Sequence, residues 1–396
     1  MFKIRRYSPI GLEIDLTSIK LLQLRETSKG WRIQDMTIRD LPPVGVGDNE
    51  GEDEGIIQTI REMLKESSFH GKDVVSTIPP SRLDIIPIKI ALSEGEDEED
   101  AIIKEAKAHL SYKIDEAVID YLPLGQNDQR RDGKERFLLI ASKREDVERH
   151  IAIIKGGGLR PKAIEISACA VVRAMRHLHS VSMSPNSREN NKDGEKRIMV
   201  INMKDLDTSI TVLGGNDILL ERNIQWGIEN MVGLLINNIE LDRGRAKELL
   251  YKVGLNPTDL ERPQAPSQAI NARTNKFDDA THAKGDEGME QMNKIADTVY
   301  EIVSPQLEDL CQEIKKVMIY FQAEMQGITI ESIYIIGNGF YIKNMDKYIE
   351  HTTGITTSIV NPLAPFLNGE DSLREKTPYF SIALGLVLRE IYSERF

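Results

Sequence analysis

The chain has 396 residues, enough for two domains that each bury a core. Its 63 Asp and Glu outnumber its 51 Lys and Arg, a formal net charge of −12 that argues against nucleic acid or anionic lipid as the main partner. Only two cysteines, Cys169 and Cys311, occur, far apart and suited to a reducing compartment. No apolar run approaches the ~20 residues that cross a bilayer, and the opening Met1 to Arg6 is charged without a following apolar core of signal-peptide length. A cytosolic protein is expected, with membrane association only through partners.

Taken in chain order, the pattern alternates strands and helices. Ile10 to Leu21 reads as a strand, a turn and a returning strand, and Trp31 to Leu41 as a third strand closed by Pro42-Pro43. A helix follows with Ile56, Ile60, Met63 and Leu64 on one face, then a strand from Val74 to Ile78 stopped by Pro79-Pro80. Leu83 to Ile90, Ala117 to Leu122 and Arg136 to Ser142 are strand-like, and Ala101 to Leu110 is an amphipathic helix. Asp146 to Lys155 is a helix stopped by Gly156-Gly157-Gly158, because glycine tolerates a left-handed cap. This stretch has the texture of a small α+β module inserted into the first half. The acidic runs Asp48 to Glu54 and Glu94 to Asp100 read as solvated loops.

Lys162 to Ile166 returns to strand and Cys169 to Leu178 to helix, before a polar linker over residues 181–196. The second half opens on another strand–turn–strand, Met199 to Val212, and a Gly214-Gly215-Asn216-Asp217 turn leads into Ile218 to Ile224. Helices are predicted over Ile228 to Ile239 and Arg243 to Lys252, then a polar excursion over residues 256–288. A long helix from Met289 to Met325 is expected to break near Ser304-Pro305. The chain ends in a strand (Ser332 to Ile336), a Gly-Asn-Gly turn, a helix, a strand (Thr356 to Val360) and a closing helix from Phe380.

The two hairpins are the informative pair. Each alternates apolar residues, carries an acid or amide late in the strand (Glu13, Asn202) and resumes at Thr-Ser-Ile (Thr17 to Ile19, Thr208 to Ile210). Such a duplicated hairpin, with backbone N–H groups and hydroxyls at the turn, suits two similar halves facing one phosphate-bearing ligand. It points to the actin and sugar-kinase superfamily, an α/β class. Ile335-Ile336-Gly337-Asn338-Gly339-Phe340 adds glycines at a strand end, where backbone can approach a flat group. No Walker lysine motif, Gly-x-Ser-x-Gly elbow or zinc spacing is present, and His177 and His179 stand without further ligand types nearby.

The order of these pieces resembles the PilM family of actin-like type IV pilus assembly proteins over nearly the whole chain. Gly11-Leu12-Glu13-Ile14 through Ile19-Lys20-Leu21 is similar to the family's opening Gly-Leu-Asp-Ile-Gly-Ser-Ser-Ser-Val-Lys. Asp120 to Gly125, and Gly158 to Pro161 with Ile164-Glu165, resemble its inserted module and the return from it. Asn361-Pro362 and Ala383 to Arg389 resemble its C-terminal signature.

The resemblance implies an actin-like, duplicated ribonuclease H-like fold of two lobes. The first half takes residues 1–78 and 162–180, the inserted module 79–161, the second half 197–371, and a closing helix 372–396 packs on the first half. It implies a nucleotide site at Thr17, Ser18, Lys20, Asn202, Lys204, Thr208, Gly227, Gly337, Asn338 and Gly339, with Glu13 holding a metal ion through water. It implies ATP and Mg²⁺ as ligands and no catalytic residue that can be named.

Departures from the family pattern mark that site as weak or degenerate. Asp15 stands where the family has a turn glycine and brings negative charge toward phosphate. The second Asp-Ile-Gly is Asn202-Met203-Lys204, and an amide has no charge to offer a hard cation. Lys204 compensates in part as a point charge for phosphate, and the helix around Arg245-Ala246-Lys247 is altered too.

The implied function is a cytoplasmic scaffold, peripheral to the inner membrane, with weak ATPase turnover at most. It would grip the N-terminal tail of a PilN-like membrane protein around Leu83 to Ile90 and Ile102 to Leu122 and link the pilus platform to its motor proteins. Alternatives are a type II secretion scaffold, which would carry a transmembrane helix, a cell-division actin relative ending in a basic amphipathic helix, and a sugar-kinase-type phosphotransferase.

Overall fold

A computed structural model describes residues 6–41, 49–91, 95, 97–124, 134–182, 196–215, 217–255, 286–325, 327–367, 373 and 376–391. The expected linker lies outside them apart from 181–182 and 196, and so does the polar excursion apart from its last three residues. By its contacts the chain divides into two compact units, residues 1–195, 211–221 and 362–396 forming one and residues 196–210 and 222–361 the other. Residues 211–215, 217–221 and 362–367, expected with the second half, count with the first unit by this division.

The first unit is built on a five-stranded sheet in the order β3-β2-β1-β4-β8. Its strands are β1 (Ile10–Ile14), β2 (Ser18–Thr27), β3 (Gly30–Asp40), β4 (Asp73–Thr77) and β8 (Arg160–Glu165). β1 runs antiparallel to β2 and parallel to β4, which is parallel to β8. Strand alternation sorts side chains onto two faces. Ile10, Leu12, Ile14, Ile19 and Leu21 pack with Ile56, Ile60 and Met63 of α1 (Asn49–Glu66) and Ile153 and Ile154 of α3 (Arg144–Gly156). A bulge between Gln23 and Leu24 shifts the register of β2. Leu22 and Leu24 join Ala174 of α4 (Ser167–Ser182) and Ala383, Leu384 and Val387 of the closing helix α9 (Ser381–Ile391).

The inserted segment forms an antiparallel sheet, β5 (Asp84–Ile90), β7 (Glu135–Lys143) and β6 (Ala117–Pro123), ordered β5-β7-β6. α2 (Glu98–His109) covers it, with Ile88, Ile90, Ala101, Ile102, Ala106, Phe137 and Leu139 as a separate core. Helix α3, expected within this module, touches it through Arg144, which donates to the Ala117 carbonyl of β6 at 3.0 Å, and packs on α1 as well. Arg149 reaches Asp53 and Glu52, and Gly156 and Gly157 leave room for Ile57 and Ile60.

Two acidic runs expected as loops are helix starts. Glu52 to Glu54 lie in the opening turns of α1, and Asp97 caps α2 by accepting from the N–H groups of Glu99 (2.9 Å) and Asp100 (3.3 Å). Carboxylates there meet the positive end of the helix dipole, which polar composition alone does not distinguish from solvated loop.

The second half repeats the topology. Its sheet runs β11-β10-β9-β12-β13, the same order with the same strand–hairpin–strand start. The strands are β9 (Arg197–Met203), β10 (Thr208–Gly214), β11 (Asp217–Ile224), β12 (Ser332–Gly337) and β13 (Thr357–Ile359), with β9, β12 and β13 parallel. Its helices are α5 (Ile228–Ile239), α6 (Arg243–Val253), α7 (Asp286–Glu324) and α8 (Met345–Thr353).

The break expected near Pro305 does not occur, and α7 runs straight through it. Proline removes the N–H that would reach the Glu301 carbonyl. The Ser304 hydroxyl donates to that oxygen instead, at 3.2 Å. Burial of Val299, Ile302, Val303, Leu307, Leu310 and Ile314 along one side holds the helix on course across the missing bond.

Backbones meet closely where α9 crosses the first unit. A Cβ at Gly385 would lie 2.0 Å from the Ala170 carbonyl oxygen, and one at Gly11 would lie 2.4 Å from that of Ala383. Neither neighbour is a side chain that can swing aside. Gly385→Val should therefore cost about 3 kcal/mol, the upper part of the overpacking range, read as a lower urea midpoint at unchanged slope. Gly233→Ala, in α5 with nothing within 4 Å of the added carbon, should leave the midpoint unchanged or raise it by about 0.5–1 kcal/mol.

Candidate functional site

The first hairpin turn is built on a cross-strand pair. Register places Glu13 opposite Lys20, and both point away from the α1–α3 core. Lys20 Nζ sits 3.3 Å from Glu13 Oε1 and 3.6 Å from Asp15 Oδ2, with all three side chains buried. Asp15 holds its turn together: its N–H donates to the Ser18 carbonyl (2.8 Å), and its Oδ1 accepts from the Leu16 N–H (2.9 Å). Its φ is negative, so the turn needs no left-handed residue where the family has glycine. Ser18 is buried, and the Thr17 carbonyl accepts from the Leu41 N–H at 2.8 Å. Two carboxylates around one ammonium leave the turn with net negative charge.

The second turn is closed in the same way, Lys204 N–H to the Asp207 carbonyl at 2.9 Å. This bond aligns Asp15 with Lys204 and Ser18 with Asp207, so the Thr-Ser-Ile match read from sequence is two residues out of register. Backbone closure sets the correspondence, and a similar tripeptide does not. Lys204 Nζ lies 3.0 Å from Asp207 Oδ1. Asn223, in the amide orientation its neighbours require, donates to Asp207 Oδ2 at 3.0 Å. Asn202 and Thr208 are buried, and among the described residues Asn202 Nδ2 and Thr208 Oγ1 have no hydrogen-bond partner.

Around this turn the structure gathers two residues that sequence reading left out of the site, Asp205 and Lys247 of α6. Asp205 Oδ1 accepts from Lys247 Nζ at 2.7 Å and from Asn338 Nδ2 at 2.8 Å. Only the approach of α6 to the turn brings Lys247 there; its local sequence carries no signal beyond a basic helix start. Gly227 is needed for close approach, since a Cβ there would lie 2.2 Å from the Asp205 carbonyl oxygen. Gly337 has φ +72°, and its Cβ would meet Asn202 Oδ1 at 2.5 Å; one at Gly339 would meet Met203 Sδ at 2.6 Å. The close approach read as room for a flat ligand is thus taken up by β9.

A cleft in the first unit adjoins the first turn. Ile14, Leu16, Ile56, Ile78 and Ile153 line it, and two ion-paired arginines flank them: Arg82 with Asp146 at 2.6 Å, and Arg149 with Glu52 at 3.2 Å and Asp53 at 2.6 Å. Leu16 is 42% exposed there. His150, also lining the cleft, places Nε2 3.0 Å from the Ser76 hydroxyl, which donates to the Leu12 carbonyl at 2.8 Å. With that hydroxyl proton committed, Nε2 is the donor.

Three findings identify the relatives. The sequence matches the family of type IV pilus assembly protein PilM over residues 11–257 and 267–391. The chain belongs to that family. Its fold is similar to a structure described as a PilM-PilN type IV pilus biogenesis complex, at a TM-score of 0.71 and 20% identity, over 97% of this chain and 98% of that one. It is also similar to ethanolamine utilization protein EutJ of Carboxydothermus hydrogenoformans, at a TM-score of 0.51 and 12% identity, over 97% and 89% of the two chains. The fold is actin-like, and the repeated β3-β2-β1-β4-β8 order is its duplication. Among the described residues no helix is long and apolar enough to cross a membrane.

Burial pushes His150 down from 6.5 to about 4. The folded state therefore refuses a proton that the unfolded chain takes up below 6.5. The stability this confers is complete above pH 6.5 and is lost as pH falls toward 4, by about 3 kcal/mol in all. Urea unfolding across that window should show a slope shallower by up to one proton for His150→Gln than for the natural chain.

Proposed function

We propose that this family member is a cytoplasmic scaffold of the type IV pilus assembly platform. It holds the N-terminal tail of a PilN-like membrane protein in its first unit and retains a weak ATP site. The match to the family along almost the whole chain carries this reading. It stands at the inner membrane through that partner and connects the platform to motor proteins. The tail lies in the cleft lined by Leu16, Ile56, Ile78 and Ile153, with apolar side chains inserted between the flanking ion pairs. Its backbone continues as an added strand on an edge of the β5-β7-β6 sheet. The β6 edge, where Val118 is 36% exposed, suits this better than β5, where Pro87 removes a donor.

The residues fit a phosphate better than a metal ion. Asn202 Nδ2 and Thr208 Oγ1 are buried donors without partners among the described residues, and Lys20 and Lys204 supply charge. Taken by itself, the first turn offers Thr17, Ser18 and Lys20 to a phosphate and the second offers Asn202, Lys204 and Thr208, while Gly227, Gly337, Asn338 and Gly339 shape the second turn's surroundings through their contacts with Asp205 and β9. Bound Mg²⁺ would supply phosphate neutralisation, and Glu13 would hold its water. Glu13 and Asp15 already engage Lys20, so phosphate must compete for that cation, which makes the site weak. The reading is of a scaffold rather than an enzyme, with ATPase turnover weak at most.

Calorimetric titration with a PilN-like tail peptide and with Mg-ATP tests both parts. Ser81 is exposed at the cleft, and Ser81→Trp should weaken peptide binding at least tenfold at an unchanged melting temperature; undiminished binding would remove the tail from the cleft. Asp15→Gly should tighten Mg-ATP binding about tenfold, equivalent to about 1.4 kcal/mol. The same affinity in both proteins would place the weakness elsewhere.

A further inference from the structure

Asp205 sits at the meeting of three elements: the β9–β10 turn, the start of α6 and the end of β12. One oxygen of its carboxylate takes both Lys247 Nζ (2.7 Å) and Asn338 Nδ2 (2.8 Å). Asn338 is buried, and the Lys247 and Asp205 side chains are 24% and 14% exposed. A cation and an amide converging on one anionic oxygen form the donor set that a phosphate or ribose oxygen would ask for. Here the chain fills it from within.

The backbone of Asp205 has no freedom to leave. Its carbonyl accepts from the Glu229 N–H at 2.9 Å and presses on Gly227, where even a methyl group would clash. Its side chain can turn away without moving that backbone. Lys247 Nζ also lies 5.9 Å from the centroid of the Tyr251 ring, which itself stacks on Tyr341 at 5.3 Å, so the cation keeps one neighbour when the carboxylate turns away. The contact is thus a side-chain latch on a rigid frame.

We infer that Asp205 is an internal competitor for nucleotide, its carboxylate occupying Lys247 and Asn338 until a nucleoside di- or triphosphate displaces it. The inference rests on the nucleotide reading above and adds Asp205 to it, as the group that sets how much affinity the site shows through its hold on Lys247 and Asn338. Release needs only a side-chain rotation, so affinity is tuned without refolding the turn.

The test is Mg-ATP titration of the full chain, followed by calorimetry and by the rise in melting temperature with ligand. Four variants are compared with the natural protein: Asp205→Asn, Asp205→Ala, Lys247→Ala and the Asp205→Ala/Lys247→Ala double. Asp205→Asn keeps the shape and an acceptor for Asn338, so it guards against a folding defect. Both Asp205 variants should bind at least tenfold more tightly. The double variant should lose most of that gain, because the freed Lys247 is what the nucleotide acquires. A gain that persists in full in the double variant would mean simple relief of negative charge and overturn the latch. Measurable wild-type binding unchanged by Asp205→Ala would overturn it too, leaving the nucleotide reading intact. Folded variants that show no saturable binding would overturn the nucleotide reading, and the latch with it.

Discussion

The architecture of the first unit depends on how closely α9 lies against β1 and α4. Gly11 and Gly385 are each set against a carbonyl oxygen, at distances where a side-chain carbon cannot fit. That contact brings residues near the C-terminus into a core begun at Ile10. A buried polar clasp reinforces it. Arg173 of α4 donates to the Gly385 carbonyl at 2.8 Å and pairs with Glu165 at the end of β8, whose other oxygen lies 3.6 Å from Arg389. A guanidinium that is 5% exposed stays charged only because its partners replace water. With α9 in place, β1 is covered on both faces, and the turn that follows it has a rigid base.

On that base the chain has redistributed charge. The family's aspartate–glycine turns become Glu13-Ile14-Asp15 and Asn202-Met203-Lys204, and each altered turn settles its charges internally. Lys20 is shared by Glu13 and Asp15, Lys204 pairs with Asp207, and Lys247 pairs with Asp205. Pairs that are buried or half-buried hold position well and add little net stability. Their main effect is on anything that must compete for the same cations. On the proposed reading, the frame of the fold is kept while ion pairs within the chain compete with any phosphate for these cations.

Much of this was legible in the chain. Helices α5 and α6 lie where their apolar spacing and caps place them, and both sheets begin with the hairpins that the repeat announces. Signals that mislead do so for physical reasons. Thr-Ser-Ile recurs two residues out of register because turn closure runs through backbone, from Asp15 to Ser18 and from Lys204 to Asp207. Pro305 should end a helix, but Ser304 serves the carbonyl it abandons, and an apolar flank carries the helix through. The glycines at 337 and 339 announce close approach but not what approaches, which is β9.

By itself the sequence determined the local elements, the duplication and the family, since these follow from apolar period, glycine and proline placement, and the order of motifs. The tertiary structure alone decided which charges meet. Asp205 lies 42 residues from Lys247 and 133 from Asn338, and Glu52 lies 97 from Arg149. Periodicity reports which face of a strand or helix is buried. The partner found there depends on how separate elements pack, and packing sums contacts along the whole chain.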